Sequence, residues 1–515
     1  MELKQAPGSI KIRIEPYTAF LTALSLPAKI RCGISSPAPP ARINGQPVEG
    51  RVDYCMGSAE DRCNDNRRPA GQKAISHQLQ WRTGIIPSVD HMTQLDEISP
   101  SANEPPRPSK TAPSPALARK MAWTLGVLSA FGPFAIDMYL PAFPTIAGDI
   151  GATIGSVQIT LAVFLLGLAA GQILWGTLSD RVGRRTPLLS GCVLFSCMAI
   201  VCATAHSIHT LIAARFFMGL GGSAGVVVSR AIVRDLFEEK EAARFYSMMM
   251  IIGGIGPIVS PFLGSLLLTH YDWRAIFWTI TVFGGLCIAA VLRNIPETLA
   301  RENRMRGHLV DVFRGYDRIL VNRRFLGPAL AIGCTSGMLF TYIANSSFIF
   351  IELFGVPVAL FGFLFATNSI GLYIGGQSNR WLLRRFTAGQ LLRKGMWINV
   401  GAALSLVGCA STGFGGFPLL FGVLFVCLST LGLIFPNATA MAMQPFAAEA
   451  GRASALLGIF QFILGATGGA LVGIFHNGTA LPMAIQIACY GLTARAILLL
   501  TPKRTANKEP AKNEG

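Results

Sequence analysis

Twelve apolar stretches of about 20 residues, grouped six and six, run from Met121 to Thr501. That length carries an α-helix across the roughly 30 Å hydrocarbon core of a bilayer. The first set covers 121–145, 155–178, 187–206, 208–232, 244–269 and 273–293. After a basic connection come 325–350, 358–379, 389–410, 417–442, 452–476 and 479–501. The pattern predicts an all-α integral membrane protein with 12 transmembrane helices. Its parts are an N-terminal half, 119–293, a central loop, 294–324, a C-terminal half, 325–501, and a tail, 502–515. Composition agrees: 51% of the 515 residues are hydrophobic and 14% charged, against about 25% charged in soluble domains. One membrane body therefore fits better than a string of soluble domains.

Net charge is +17. A basic chain can serve nucleic acid or an anionic surface, and the positions of the charges decide. The alternate loops beginning at 179 hold 20 Lys and Arg, while the other loops hold only Arg274. That asymmetry places the basic loops and both termini in the cytoplasm. It makes the charge a topological signal and leaves no nucleic-acid partner.

Residues 1–118 are polar and rich in Pro and Ser, as in Glu104-Pro105-Pro106-Arg107-Pro108, and read as a disordered extension. Ala19–Ala28 resembles the apolar part of a secretory leader, but Glu15 and Pro16 interrupt it and the topology opposes it. A start near Met92 or Met121 is the other reading of this region. Eight of the 11 cysteines lie in apolar stretches and read as small buried hydrophobes. None has zinc-ligand spacing, so no metal site is expected.

Chemistry concentrates in a few strings. Gly176-Thr177-Leu178-Ser179-Asp180-Arg181-Val182-Gly183-Arg184-Arg185 puts a charged turn between glycines at a helix end. Asp180 and the arginines can exchange partners between conformations. Asp137 is the acid set well inside a span; other acids sit in loops or at span ends. A charge in hydrocarbon is costly, so such a group usually faces a polar pathway. It suits a proton carrier; the alternative is a solvated structural acid near the outer helix end. Arg215, the second buried charge, either stabilises an anionic Asp137 or substrate, or is a lock satisfied by backbone carbonyls. Pro257, Pro261 and Gly264 bend the fifth span and bring its neighbours close. Tyr139, Gln172, Tyr342, Asn345, Asn368 and Gln461 are candidates for a cavity lining, since aromatic and amide groups suit amphipathic ligands. No G-x-x-x-x-G-K-[ST] string occurs, which argues against ATP-driven transport. No catalytic cluster points to an enzyme.

The charged turn resembles the signature loop of the major facilitator superfamily, G-x-x-x-D-R-x-G-R-R. Leu211 to Gly219 is similar to the fourth-helix motif of proton-coupled members, with Met218 where Gln is usual. Pro257 to Gly264 is similar to the antiporter motif of the fifth helix. Asp137-Met138-Tyr139-Leu140-Pro141, Gln172, Arg234-Asp235-Leu236 and Trp273-Arg274-Ala275-Ile276-Phe277 resemble the Bcr/CflA drug-resistance group. Gly375, Asn379 and Arg380 echo the signature loop in the second half, with Asn for Asp. The resemblance implies proton-coupled efflux of drugs by alternating access. It also implies a bacterial-type inner membrane, Asp235 as a member of the switch loop, and no cofactor beyond the coupling proton. The expected partners are a small-molecule substrate and the lipid bilayer, and the expected state is a monomer. Two alternatives stay open: a proton-coupled transporter of a metabolite, sugar, peptide or siderophore, and a membrane sensor or scaffold.

Overall fold

A computed structural model describes residues 42–43, 46–47, 114–237, 239–305, 316–446 and 449–501. By contact the chain falls into two units, Met1–Arg107 and Pro108–Gly515. In the first, Arg42–Ile43 pairs antiparallel with Gln46–Pro47. The leader-like stretch, Met92, most of the extension, residues 306–315 and the tail lie outside the described residues.

The second unit is helical. The first span is interrupted: α1 (Pro115–Leu128), α2 (Phe131–Asp137), a single 3-10 turn at Leu140–Ala142, and α3 (Phe143–Ile150). One continuous helix over 121–145 was expected, but the prolines forbid it. Pro141 has no N–H to give the Asp137 carbonyl, and Pro144 has none for Leu140. The remaining first-half helices are α4 (Ile154–Val182), α5 (Arg185–Ala203), α6 (Ile208–Leu236), α7 (Glu239–His270) and α8 (Arg274–Asn294). The second half holds α9 (Arg323–Ser347), α10 (Val358–Leu382), α11 (Ala388–Thr412), α12 (Gly416–Met443), α13 (Ala450–Ile474) and α14 (Leu481–Leu500). Thr153, Ser207 and Thr387 cap α4, α6 and α11 through their hydroxyls, satisfying amides that a helix start leaves open.

Among the described residues, 11 helical spans are long and apolar enough to cross a membrane. The fifth expected span falls on the 32-residue α7, whose stretch Gly254–His270 is apolar. Large side chains such as Trp278, Val282 and Leu286 of α8 and Trp397 and Ile398 of α11 face outward, where lipid accommodates what water would not.

The two halves repeat one packing rule. α4 packs on α6, and α5 on α6 and α8; correspondingly α10 packs on α12, and α11 on α12 and α14. The halves meet along two seams, α4 against α13 and α7 against α10. These seams exchange under the same repeat, as expected for two halves related by a pseudo-two-fold axis.

Candidate functional site

Asp137 closes α2, at the break that Pro141 imposes. Its side chain is 4% exposed, and it makes no hydrogen bond or ion pair among the described residues. It borders a cavity of about 80 Å³ shared with Pro257 of α7 and with Tyr342, Phe365, Asn368 and Ser369 of the second half. Asn368 Nδ2 donates to the Tyr342 hydroxyl at 3.0 Å, and the Tyr342 ring stacks on Phe365 at 5.5 Å. A volume of 80 Å³ accepts a few waters. Sites for drug-sized ligands need about 300 Å³ or more, so this conformation is closed around the acid.

Arg215 does not pair with Asp137 among the described residues. It is fully buried and donates to the Ala135 carbonyl at 2.8 Å. Its guanidinium lies 4.7 Å from the Tyr139 ring centroid and 4.3 Å from that of Phe164. Met218, standing where the family pattern has Gln, offers its sulfur to Arg215 at 3.7 Å, a weak acceptor. One carbonyl is thus in hand, while Arg215 Nε and Nη2 have no hydrogen-bond partner among the described residues.

The cavity candidates separate. Tyr342 and Asn368 line the cavity. Tyr139 does not: it is wholly buried in the first half, its hydroxyl 3.0 Å from Thr160 Oγ1. Gln172 is buried on α4 facing Gly458 of α13, and Gln461 is half-buried on α13. Asn345 sits between the halves, where its Oδ1 accepts from Gln158 Nε2 at 3.0 Å. The sequence reading passed over Gln158, one amide in a long apolar helix. Both residues are buried, and Gln158 Oε1 has no partner among the described residues. Close by, the backbones of Gly155 and Gly473 meet across the α4–α13 seam.

The charged turn gathers most of its expected members. Arg184, 4% exposed, donates to Asp180 at 2.5 Å, Asp235 at 2.7 Å and Ser179 Oγ at 3.0 Å. Arg185 reaches the Leu292 carbonyl at 2.8 Å. Arg181 lies in the last turn of α4, and Gly176 leaves ordinary space beside Val227. Gly183 has φ +115°, and a Cβ there would meet the Glu297 carboxylate and Arg304. Glu297 was not anticipated. Its carboxylate accepts from the backbone N–H groups of Arg184 at 2.8 Å, Arg185 at 3.3 Å, and Thr298 and Leu299, both at 3.0 Å. It thus caps α5 from the far end of α8, where the helix dipole favours an anion. Partial burial pushes the Glu297 carboxyl up, but these four donors outweigh it and hold it below the usual range. Met305 N–H donates to the Asp180 carbonyl at 2.9 Å, fastening the central loop to the turn.

In the second half, Asn437 Nδ2 donates to Asn379 Oδ1 at 2.6 Å, both residues buried. Where the first half uses ions, the second uses two amides.

On α7, Pro257 and Pro261 interrupt the helical hydrogen bonding, and Ser369 Oγ lies 3.5 Å from the Pro257 carbonyl. Gly264 packs on the backbone of Met138, so a Cβ there would strike the carbonyl that follows Asp137. Pro257 and Gly264 therefore bracket the Asp137 break.

Interrupted first span, charged turn and doubled packing rule agree with a family match. The Major Facilitator Superfamily profile matches residues 125–503. The chain belongs to the Major Facilitator Superfamily. As a member it is a membrane transporter and not an enzyme, handling a small-molecule substrate within a lipid bilayer. It is 34% identical to the Bacillus subtilis (strain 168) uncharacterized MFS-type transporter YdgK over 392 residues, 75% of this chain and 96% of that one. It is 32% identical over 386 residues to a Haemophilus influenzae bicyclomycin resistance protein homolog, 75% and 97% of the two chains. The fold is similar to that of a D-xylose-proton symporter, TM-score 0.60 at 13% identity, covering 76% of this chain and 99% of that one. The transporter thus carries the Bcr/CflA resemblance through to curated relatives.

Proposed function

We propose that this transporter exports drugs or other small amphipathic molecules in exchange for protons. Asp137 carries the proton. The observation that supports this most is an unpaired buried carboxyl facing a cavity between the halves. A group placed there exchanges its proton with whichever side the halves expose. A relative named for bicyclomycin resistance supports the drug class, whereas the sugar symporter's likeness concerns the fold alone.

In the proposed cycle, Asp137 takes a proton from outside as substrate leaves, and gives it up inward as the next substrate loads. Inward movement of one charge through about 100 mV yields roughly 2.3 kcal/mol before any pH gradient. The loops rich in Lys and Arg face the cytoplasm of a bacterial-type inner membrane, and the working unit is a monomer.

The test is dye and bicyclomycin transport into inverted vesicles with an imposed proton gradient. Asp137→Asn abolishes gradient-driven accumulation while the protein still inserts and purifies normally. Undiminished accumulation in that variant removes Asp137 from the mechanism.

A further inference from the structure

We infer that Tyr342, held by Asn368, is the second half's hydrogen-bond donor to the Asp137 carboxylate, so that the charge on Asp137 sets how firmly the halves are tied at the cavity. This rests on the reading of Asp137 as the proton carrier.

The argument is an inventory of donors and acceptors. A phenol has one proton to give and can accept in turn. Asn368 Nδ2 occupies the accepting side of Tyr342 at 3.0 Å, and stacking on Phe365 fixes the ring. The hydroxyl proton is left to find an acceptor, as buried phenols do. Tyr342 is only 2% exposed, so that acceptor lies in the cavity. Two unpartnered acceptors line this cavity among the described residues, Asp137 and Asn368 Oδ1. Asn368 already presents its Nδ2 to the hydroxyl, which leaves Asp137 to take the phenol proton, directly or through one of the few waters that fit.

No other charge competes among the described residues. Arg215 is buried against Ala135, Tyr139 and Phe164 of the first half and is not among the residues that line the cavity, although its Nε and Nη2 lack hydrogen-bond partners among the described residues. α7 presents Pro257, α10 presents Phe365, Asn368 and Ser369, and α12 presents Leu428; none of these titrates. An ionised carboxylate accepts a stronger, charge-assisted hydrogen bond than a protonated one. Deprotonation of Asp137 therefore tightens the tie between halves, and protonation loosens it. Tyr342 is a positioning residue: it carries no proton across the membrane.

The experiment is an infrared titration of the purified, lipid-reconstituted protein. The carboxylic C=O band lost in Asp137→Asn is assigned to Asp137, and its midpoint is read against pH. Tyr342→Phe keeps the ring and its stacking, and should move that midpoint to higher pH by about one to two units, the worth of a hydrogen bond to a charged group. Asn368→Leu keeps the hydroxyl but frees it, and should move the midpoint the same way by less. Midpoints in both variants equal to wild type overturn the inference while leaving the carrier reading intact. A wild-type protein with no titrating Asp137 band overturns both.

Discussion

Asparagine 345 offers the sharpest perturbation of the seam between the halves. Its bond from Gln158 at 3.0 Å crosses from α9 to α4, beside the Gly155–Gly473 approach. Asn345→Leu removes the acceptor and leaves the buried Gln158 with neither end satisfied, since its Oε1 already has no partner. Stranding a buried amide costs about 1–3 kcal/mol. That is a loss of about 5- to 150-fold in the population closed at this end. Paired spin labels on noncanonical residues at Ala152 and Asn477 would read that population directly, avoiding the 11 natural cysteines. The single variant should shift weight toward the longer separation. Gln158→Leu combined with Asn345→Leu should restore much of the short one, because replacing both partners leaves nothing stranded. An unchanged distance distribution in the single variant would refute the reasoning.

Two further outcomes follow from close contacts. Gly183→Ala forces a side chain into φ +115° against the Glu297 carboxylate. Its strain of about 1–3 kcal/mol should lower the melting temperature, as followed by thermal unfolding in detergent. Glu297→Gln tests the same turn by pH. The carboxyl is held below its usual range, so its stabilisation is complete above that range and disappears as pH falls through the lowered native value. The melting-temperature gap between wild type and variant should be widest near neutrality and close in acid; a gap independent of pH would contradict the capping role.

The span pattern was readable because bilayer thickness imposes a length on apolar helices. Asp137 was readable because a lone acid in such a stretch is expensive. The Asp180–Arg184 pairing was readable in a charged turn between glycines, while Asp235 came only with the family resemblance. What escaped was set by backbone breaks and long-range approach. Pro141 ends α2 at Asp137, which borders a cavity shared with the second half, while Arg215 and Tyr139 pack within the first. The prolines were visible, but which residues the second half would bring to that cavity was not. Gln158 and Asn345 lie 187 positions apart, and nothing local marks either as half of a pair. Glu297 reads as a loop acid until α8 is seen to end over the start of α5.

The unequal fastenings at the basic end have a consequence for how the machine answers its surroundings. Asp180, 38% exposed, leaves the Arg184 cluster open to dissolved ions, which weaken attraction over a Debye length of about 8 Å at physiological salt. The neutral Asn379–Asn437 pair has no such sensitivity. Rising ionic strength therefore weakens the charged fastening of the first half while leaving the neutral one of the second in place.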